Sequence, residues 1–118
     1  MKEDFVPFDL AVKLKEKGFD KKTRCGYLPP MLSLLEAFND TDWSAKNGYA
    51  APVISQVLKW LREEKSLHIE IRLFTMAYGF DIIHRITKEK LGWSGTVEYS
   101  HYEDVAIAGI EYALDNIL

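Results

Sequence analysis

The spacing of apolar residues in the second half of the chain changes period twice, and that change limits the folds open to it. Val53, Ile54, Val57, Leu58 and Leu61 recur at helical spacing, Trp60 widens the stripe, and Lys59, Arg62, Glu63, Glu64 and Lys65 take the other side. With Pro52 at a favoured first-turn position, this predicts an amphipathic helix of about 13 residues. At His68-Ile69-Glu70-Ile71-Arg72-Leu73 the period drops to two, the mark of a strand with one buried face. Phe80 to Ile86 gives a second strand, with Phe80, Ile82, His84 and Ile86 on one face and Ile83 opposite, and Ala77-Tyr78-Gly79 reads as the hairpin connection. Trp93, Gly95, Val97 and Tyr99 alternate with Ser94, Thr96 and Glu98 as a third strand, reached through a turn at Lys88-Glu89-Lys90. The helical period then returns over Tyr102, Val105, Ala106, Gly109, Ile110, Ala113, Leu114 and Ile117, behind Ser100 and Glu103 at capping-box spacing. Ala106, Gly109 and Ala113 make that face thin enough to lie close on a sheet. The expected class is α+β: helix, three-stranded antiparallel meander, helix over residues 51–118.

An amino-terminal helical arm precedes this αβββα core. Leu10, Ala11 and Leu14 predict a short helix over 8–17, with Pro7 at its start, its lysines outward, and Gly18-Phe19 folding back on Leu14 in a Schellman stop. Residues 20–50 are punctuated by Gly26, Pro29, Pro30, Asn39, Asp40, Asp42, Asn47 and Gly48 and read as irregular. Within them Met31 to Phe38 suits a helix of about two turns or a short strand, and the helix is preferred. The 118 residues are read as a single domain, 1–50 being helical arm and irregular loop. A chain this long buries roughly 65% of its unfolded surface, and its 13% aromatic content excludes disorder.

Charged residues interrupt every apolar run well short of the roughly 20 residues that span a bilayer, so no membrane association is expected. Met1-Lys2-Glu3-Asp4-Phe5 leads into no apolar run, which argues against a secretory signal. The single cysteine, Cys25, fits a reducing compartment, and a cytoplasmic location is the default. His68, His84 and His101 lack the spacings that bring metal ligands together. Cys25 has no histidine placed near it by sequence, the serines sit in no nucleophile elbow, and the seven glycines never cluster into a phosphate-binding loop. Neither an enzyme nor a cofactor or metal is expected.

The order helix, three strands, helix is also that of double-stranded-RNA-binding domains, which this chain resembles in topology. Those domains grip phosphates with lysines at the start of the last helix, where this sequence reads His101-Tyr102-Glu103-Asp104. A further fold-level likeness is to HicB-type antitoxins, whose meander leads into a helix opening on a Tyr-Glu-Glu-like sequence. Ala51-Pro52, Gln56 to Glu64, His68 to Ile71, Tyr102-Glu103 and Ala108 to Leu114 together resemble an uncharacterised family of small proteins frequent in phages and mobile elements of gut Bacteroides-like bacteria. The resemblance is good over 51–118 and loose over 1–20. It implies a bacterial, mobile-element origin and brings no assigned activity.

These readings point to a non-enzymatic interaction protein whose sheet binds another protein or a second copy of itself. Tyr78, Ile83, Trp93, Tyr99 and Tyr112 are the candidate interface residues, chosen as amphipathic rings and as an apolar residue on the outer face. The alternative is a nucleic-acid-binding regulator. Residues 13–24 hold six cations against Glu16 and Asp20, a local +4, in a chain of net charge -3. Lys13, Lys17, Lys21, Lys22 and Arg24 are its candidate contacts, and such backbone-only binding is expected to be weak and salt-dependent.

Overall fold

A computed structural model describes residues 4–73, 76–95 and 97–118. The chain divides into two compact units, Met1–Val53 and Ile54–Leu118.

In the first unit, helix α1 (Phe8–Glu16) buries Leu10, Ala11 and Leu14. Its stop is the expected Schellman pair: Phe19 N–H donates to Leu14 O (2.9 Å), Gly18 N–H to Lys15 O (3.2 Å), and Gly18 takes a φ of 93°. Pro7 is the residue just outside the helix, and its carbonyl accepts from Ala11 N–H. The expectation for residues 20–50 is overturned. They hold a second sheet, with β1 (Thr23–Tyr27) between β2 (Leu35–Thr41) and β3 (Tyr49–Ala50), all antiparallel. Met31 to Phe38 therefore includes strand and no helix.

The residues that signalled a loop are the ones that let this small sheet close. Gly26 has no side chain because the Trp43 ring lies where a Cβ would be, and Trp43 Nε1–H donates to Thr23 O (2.8 Å). A 3-10 turn, Trp43–Lys46, brings the indole there; the Asp42 carboxylate accepts from Ser44 and Ala45 N–H at its start, and Asn47 ends it at a φ of 59°. These contacts join residues some 20 apart in sequence, beyond the reach of a local period.

The second unit begins with α2 (Ile54–Glu64), which buries Ile54, Val57, Trp60 and Leu61. Pro52 precedes the helix, and Leu58 is only half-buried. Strands β4 (Leu67–Leu73), β5 (Tyr78–His84) and β6 (Lys90–Trp93) form the antiparallel meander. Three details differ from expectation. Tyr78 and Gly79 pair with Leu73 and Arg72, so the hairpin link falls at 74–77, of which 74 and 75 lie outside the described residues. Ile86 is an exposed turn residue, because Lys88 with a φ of 65° and the bond from Lys88 N–H to His84 O (2.9 Å) close the turn around it. The third strand runs Lys90–Trp93 rather than Trp93 to Tyr99: Gly95 at a φ of 68° bends the extended chain, and Tyr99 keeps only an isolated bridge to Tyr78. Thr96, counted in that alternation, lies outside the described residues.

Helix α3 (Tyr102–Tyr112) starts one residue later than its sequence signal. His101 becomes the N-cap and makes no side-chain cap bond, so Ser100 and Glu103 do not form a capping box. Its thin face seats as expected on the sheet: a Cβ on Gly109 would stand 2.9 Å from Ile69 Cγ2 and 3.4 Å from Phe80 Cγ. Gly92 on β6 likewise leaves room for the Tyr112 ring, which meets Phe80 edge-on at 5.9 Å. Helix α2 packs on β4, α3 on β4 and β5, and the helices touch each other. Together they cover the face carrying Leu67, Ile69, Phe80 and Ile82, all buried.

Leu61 is fully buried at the centre of this layer, so Leu61→Ala should cost about 2–5 kcal/mol in chemical denaturation. Half-buried Leu58→Ala should cost about half as much. Equal losses at the two positions would place Leu58 in the core.

Candidate functional site

Directly opposed residues of an antiparallel sheet share a face. On β4, β5 and β6 this puts Glu70, Asp81 and Trp93 in one row, His68, Ile83 and Lys90 in the next, and Arg72 opposite Gly79, all on the face away from the helices. Asp81 is the centre of that face. It sits on the middle strand, is only 7% exposed, and each carboxylate oxygen has a cationic partner. Arg72 Nε lies 2.6 Å from Oδ2 and Lys90 Nζ 3.1 Å from Oδ1, while Glu70 approaches Arg72 Nε at 3.8 Å. The Lys90 ammonium also rests 5.1 Å from the centroid of the Trp93 ring. The two cations are about half exposed, so water screens the pairs, and their value lies more in orientation than in stability.

Two anions and two cations leave the row near neutral. It offers guanidinium and ammonium donors with a fixed direction and, beside them, an indole that is 55% exposed. The groups on this face can hydrogen-bond through Arg72 and Lys90 and make aromatic contact through Trp93.

The five candidate interface residues are not brought together. Ile83 and Trp93 lie on the outer face. Tyr78 and Tyr99 lie at one end of the sheet, joined by two backbone hydrogen bonds (2.7 and 3.0 Å), and Tyr112 packs against Gly92 and Phe80 on the helix side. Sequence reasoning missed Arg72, Asp81, Lys90 and Tyr102. The polar phase of the alternation placed Arg72 and Asp81 on the outer face, but only the cross-strand register joins them to Lys90.

Two cations of the basic segment, Lys15 and Arg24, are engaged within their own unit. Arg24 Nε–H donates to Ala37 O (3.2 Å) beside Glu36, and none of Lys13, Lys17 and Lys21 lacks a partner. Lys15, expected outward, reaches Gly48 O (3.1 Å) across the Tyr49 ring. Lys22 is exposed. Of the histidines, His68 lies on the outer face and His101 precedes α3 with no side-chain bond to its end, while His84 Nδ1 accepts from Ile86 and Thr87 N–H, both at 3.2 Å, which holds the turn. Cys25 is buried on β1. Comparison of the chain with family models, curated proteins and solved structures finds no match.

Near Cys25, Tyr27 donates its hydroxyl to Val6 O (2.8 Å), and burial, helped by Cys25, pushes its phenol above the ordinary 10.0. The unfolded chain therefore ionises this group first, and its contribution to stability, full below about pH 10, is lost as pH rises beyond it. Denaturation at about pH 8 and about pH 11 should show a shallower alkaline decline in Tyr27→Phe than in the wild type, at a cost of about 1 kcal/mol near neutrality. Parallel declines would place Tyr27 in an unperturbed setting.

Proposed function

We propose that this protein is a non-enzymatic interaction module that binds another protein through the uncovered face of β4, β5 and β6. The observation that carries the reading is Trp93, more than half exposed on a face whose Arg72 and Lys90 are held in place by Asp81. Trp and Arg dominate the binding energy of protein interfaces, and side chains oriented before contact lose less freedom on binding. A partner fitting this face presents carboxylates for Arg72 and Lys90 around a pocket that accepts an indole. The bonds that take up Lys15 at Gly48 O and Arg24 at Ala37 O disfavour nucleic acid as the principal ligand.

The setting we propose is the cytoplasm of a bacterium that hosts phages or mobile elements. The family resemblance over 51–118 and the presence of a single cysteine in the sequence support it. No helix among the described residues is long and apolar enough to cross a membrane.

Affinity capture from such a host, with the wild type and Trp93→Ala side by side, tests the reading. The wild type should retain a protein that Trp93→Ala binds at least about tenfold more weakly, the loss typical of an aromatic anchor. Asp81→Asn should weaken it less, since both cations remain. Identical captures, or enrichment of DNA or RNA in place of protein, would overturn the assignment. Light scattering on the isolated protein distinguishes a second copy from a foreign partner.

A further inference from the structure

The other end of this unit carries an aromatic surface of a different character. Leu73 closes β4 opposite Tyr78, the first residue of β5, and Tyr78 is bridged to Tyr99 by the backbone. Tyr102 stands edge-on to Tyr78, ring centres 6.1 Å apart at 87°. The apolar groups here are strongly solvent-facing: Leu73 is 68% exposed and Met76 89%, with Val97 and Tyr102 about half exposed. Such clustering on a small soluble unit marks a partner site more often than chance exposure.

Its rim is acidic. Glu98 adjoins Tyr99, and Glu103 and Asp104 follow Tyr102; all three are exposed and form no ion pair among the described residues. No lysine or arginine occurs in the sequence after Lys90. The nearest cation along β4, Arg72, points to the opposite face and is bound to Asp81.

We propose that this tyrosine-lined end docks a cationic segment of a protein partner, one in which arginines or lysines alternate with large aliphatic residues. The aliphatic side chains cover Leu73, Met76 and Val97. The cations meet the carboxylates of Glu98, Glu103 and Asp104 and lie over the tyrosine faces, where a guanidinium or ammonium is attracted by the ring. An anionic partner such as nucleic acid is repelled by the same rim. The inference rests on the reading above only in taking the partner to be a protein, and it uses none of the residues of the outer face.

Fluorescence anisotropy tests it with labelled peptides of alternating arginine and leucine, of arginine and serine, and of glutamate and leucine. The arginine-leucine peptide should bind the full chain, and its affinity should fall steeply with added salt. Tyr102→Ala and Glu98→Lys should each weaken it about tenfold or more, while Trp93→Ala leaves it unchanged. Glu103→Gln, which spares the loop, should weaken it by a smaller factor. Circular dichroism of each variant confirms that α3 is intact. Failure of the arginine-leucine peptide to bind, equal binding by the arginine-serine peptide, or wild-type affinity in Tyr102→Ala and Glu98→Lys overturns the proposal. Loss of binding in Trp93→Ala alone also overturns it and moves the cationic segment to the outer face, whereas failure of the outer-face reading leaves these results unaffected.

Discussion

The second unit depends on how closely α3 can approach the sheet, and Gly109 sets that distance. A methyl group there would press on Ile69 and crowd Phe80, so the helix sits flush only because the residue has no side chain. With α3 seated, Val105, Ala106 and Ile110 join Leu61, Val57 and Ile82 in a layer without exposed apolar area. Each large side chain in it contributes about 1.5–3 kcal/mol before conformational entropy is subtracted. Both helices are used on one face, and among the described residues no helix of this unit covers the other. The polar phase of the strands therefore has to satisfy itself, which it does through Asp81 and its two cations.

The first unit solves a related problem with one residue. Trp43 closes over Gly26, is 4% exposed, and spends its indole N–H on Thr23 O. Tyr27 adds its hydroxyl bond to Val6 O, and Lys15 ties α1 to the loop at Gly48. A sheet with a two-residue edge strand has little ladder energy of its own, so such side-chain bonds to backbone carbonyls hold its register.

The legible parts of the fold are those whose signal is local. The α2 and α3 stripes, the Gly18-Phe19 stop and the β4 alternation each repeat within a few residues, and the structure shows them. The β1–β2–β3 sheet was hidden because its strands are held by partners far along the chain, and because Met31, Leu32, Leu34 and Phe38 are apolar yet exposed, so hydrophobicity there did not mean burial. The third strand was misplaced for a similar reason: Trp93, Val97 and Tyr99 alternate in sequence, but Gly95 turns the chain between them. For the site, Ile83 was legible as an outward residue and Trp93 only as an amphipathic ring, while the Arg72–Asp81–Lys90 row required the register of three strands.

The edges of both sheets are poor templates for adding a strand. Between the pairs Thr23–Thr41 and Cys25–Glu36, β2 carries four residues against Arg24 alone, a bulge that breaks its ladder, and Arg24 donates to the Ala37 carbonyl inside it. Strand β3 has two residues and β6 four, and β4 presents His68, Glu70 and Arg72 along its length. Short, bulged and charged edges are the usual protections against backbone pairing. A partner of the kind proposed above would then be met by side chains on a face or at an end, where direction matters. That makes the hold of Asp81 on Arg72 and Lys90 more than a surface ion pair: it fixes where two donors point, which mere exposure of an arginine or lysine would not do.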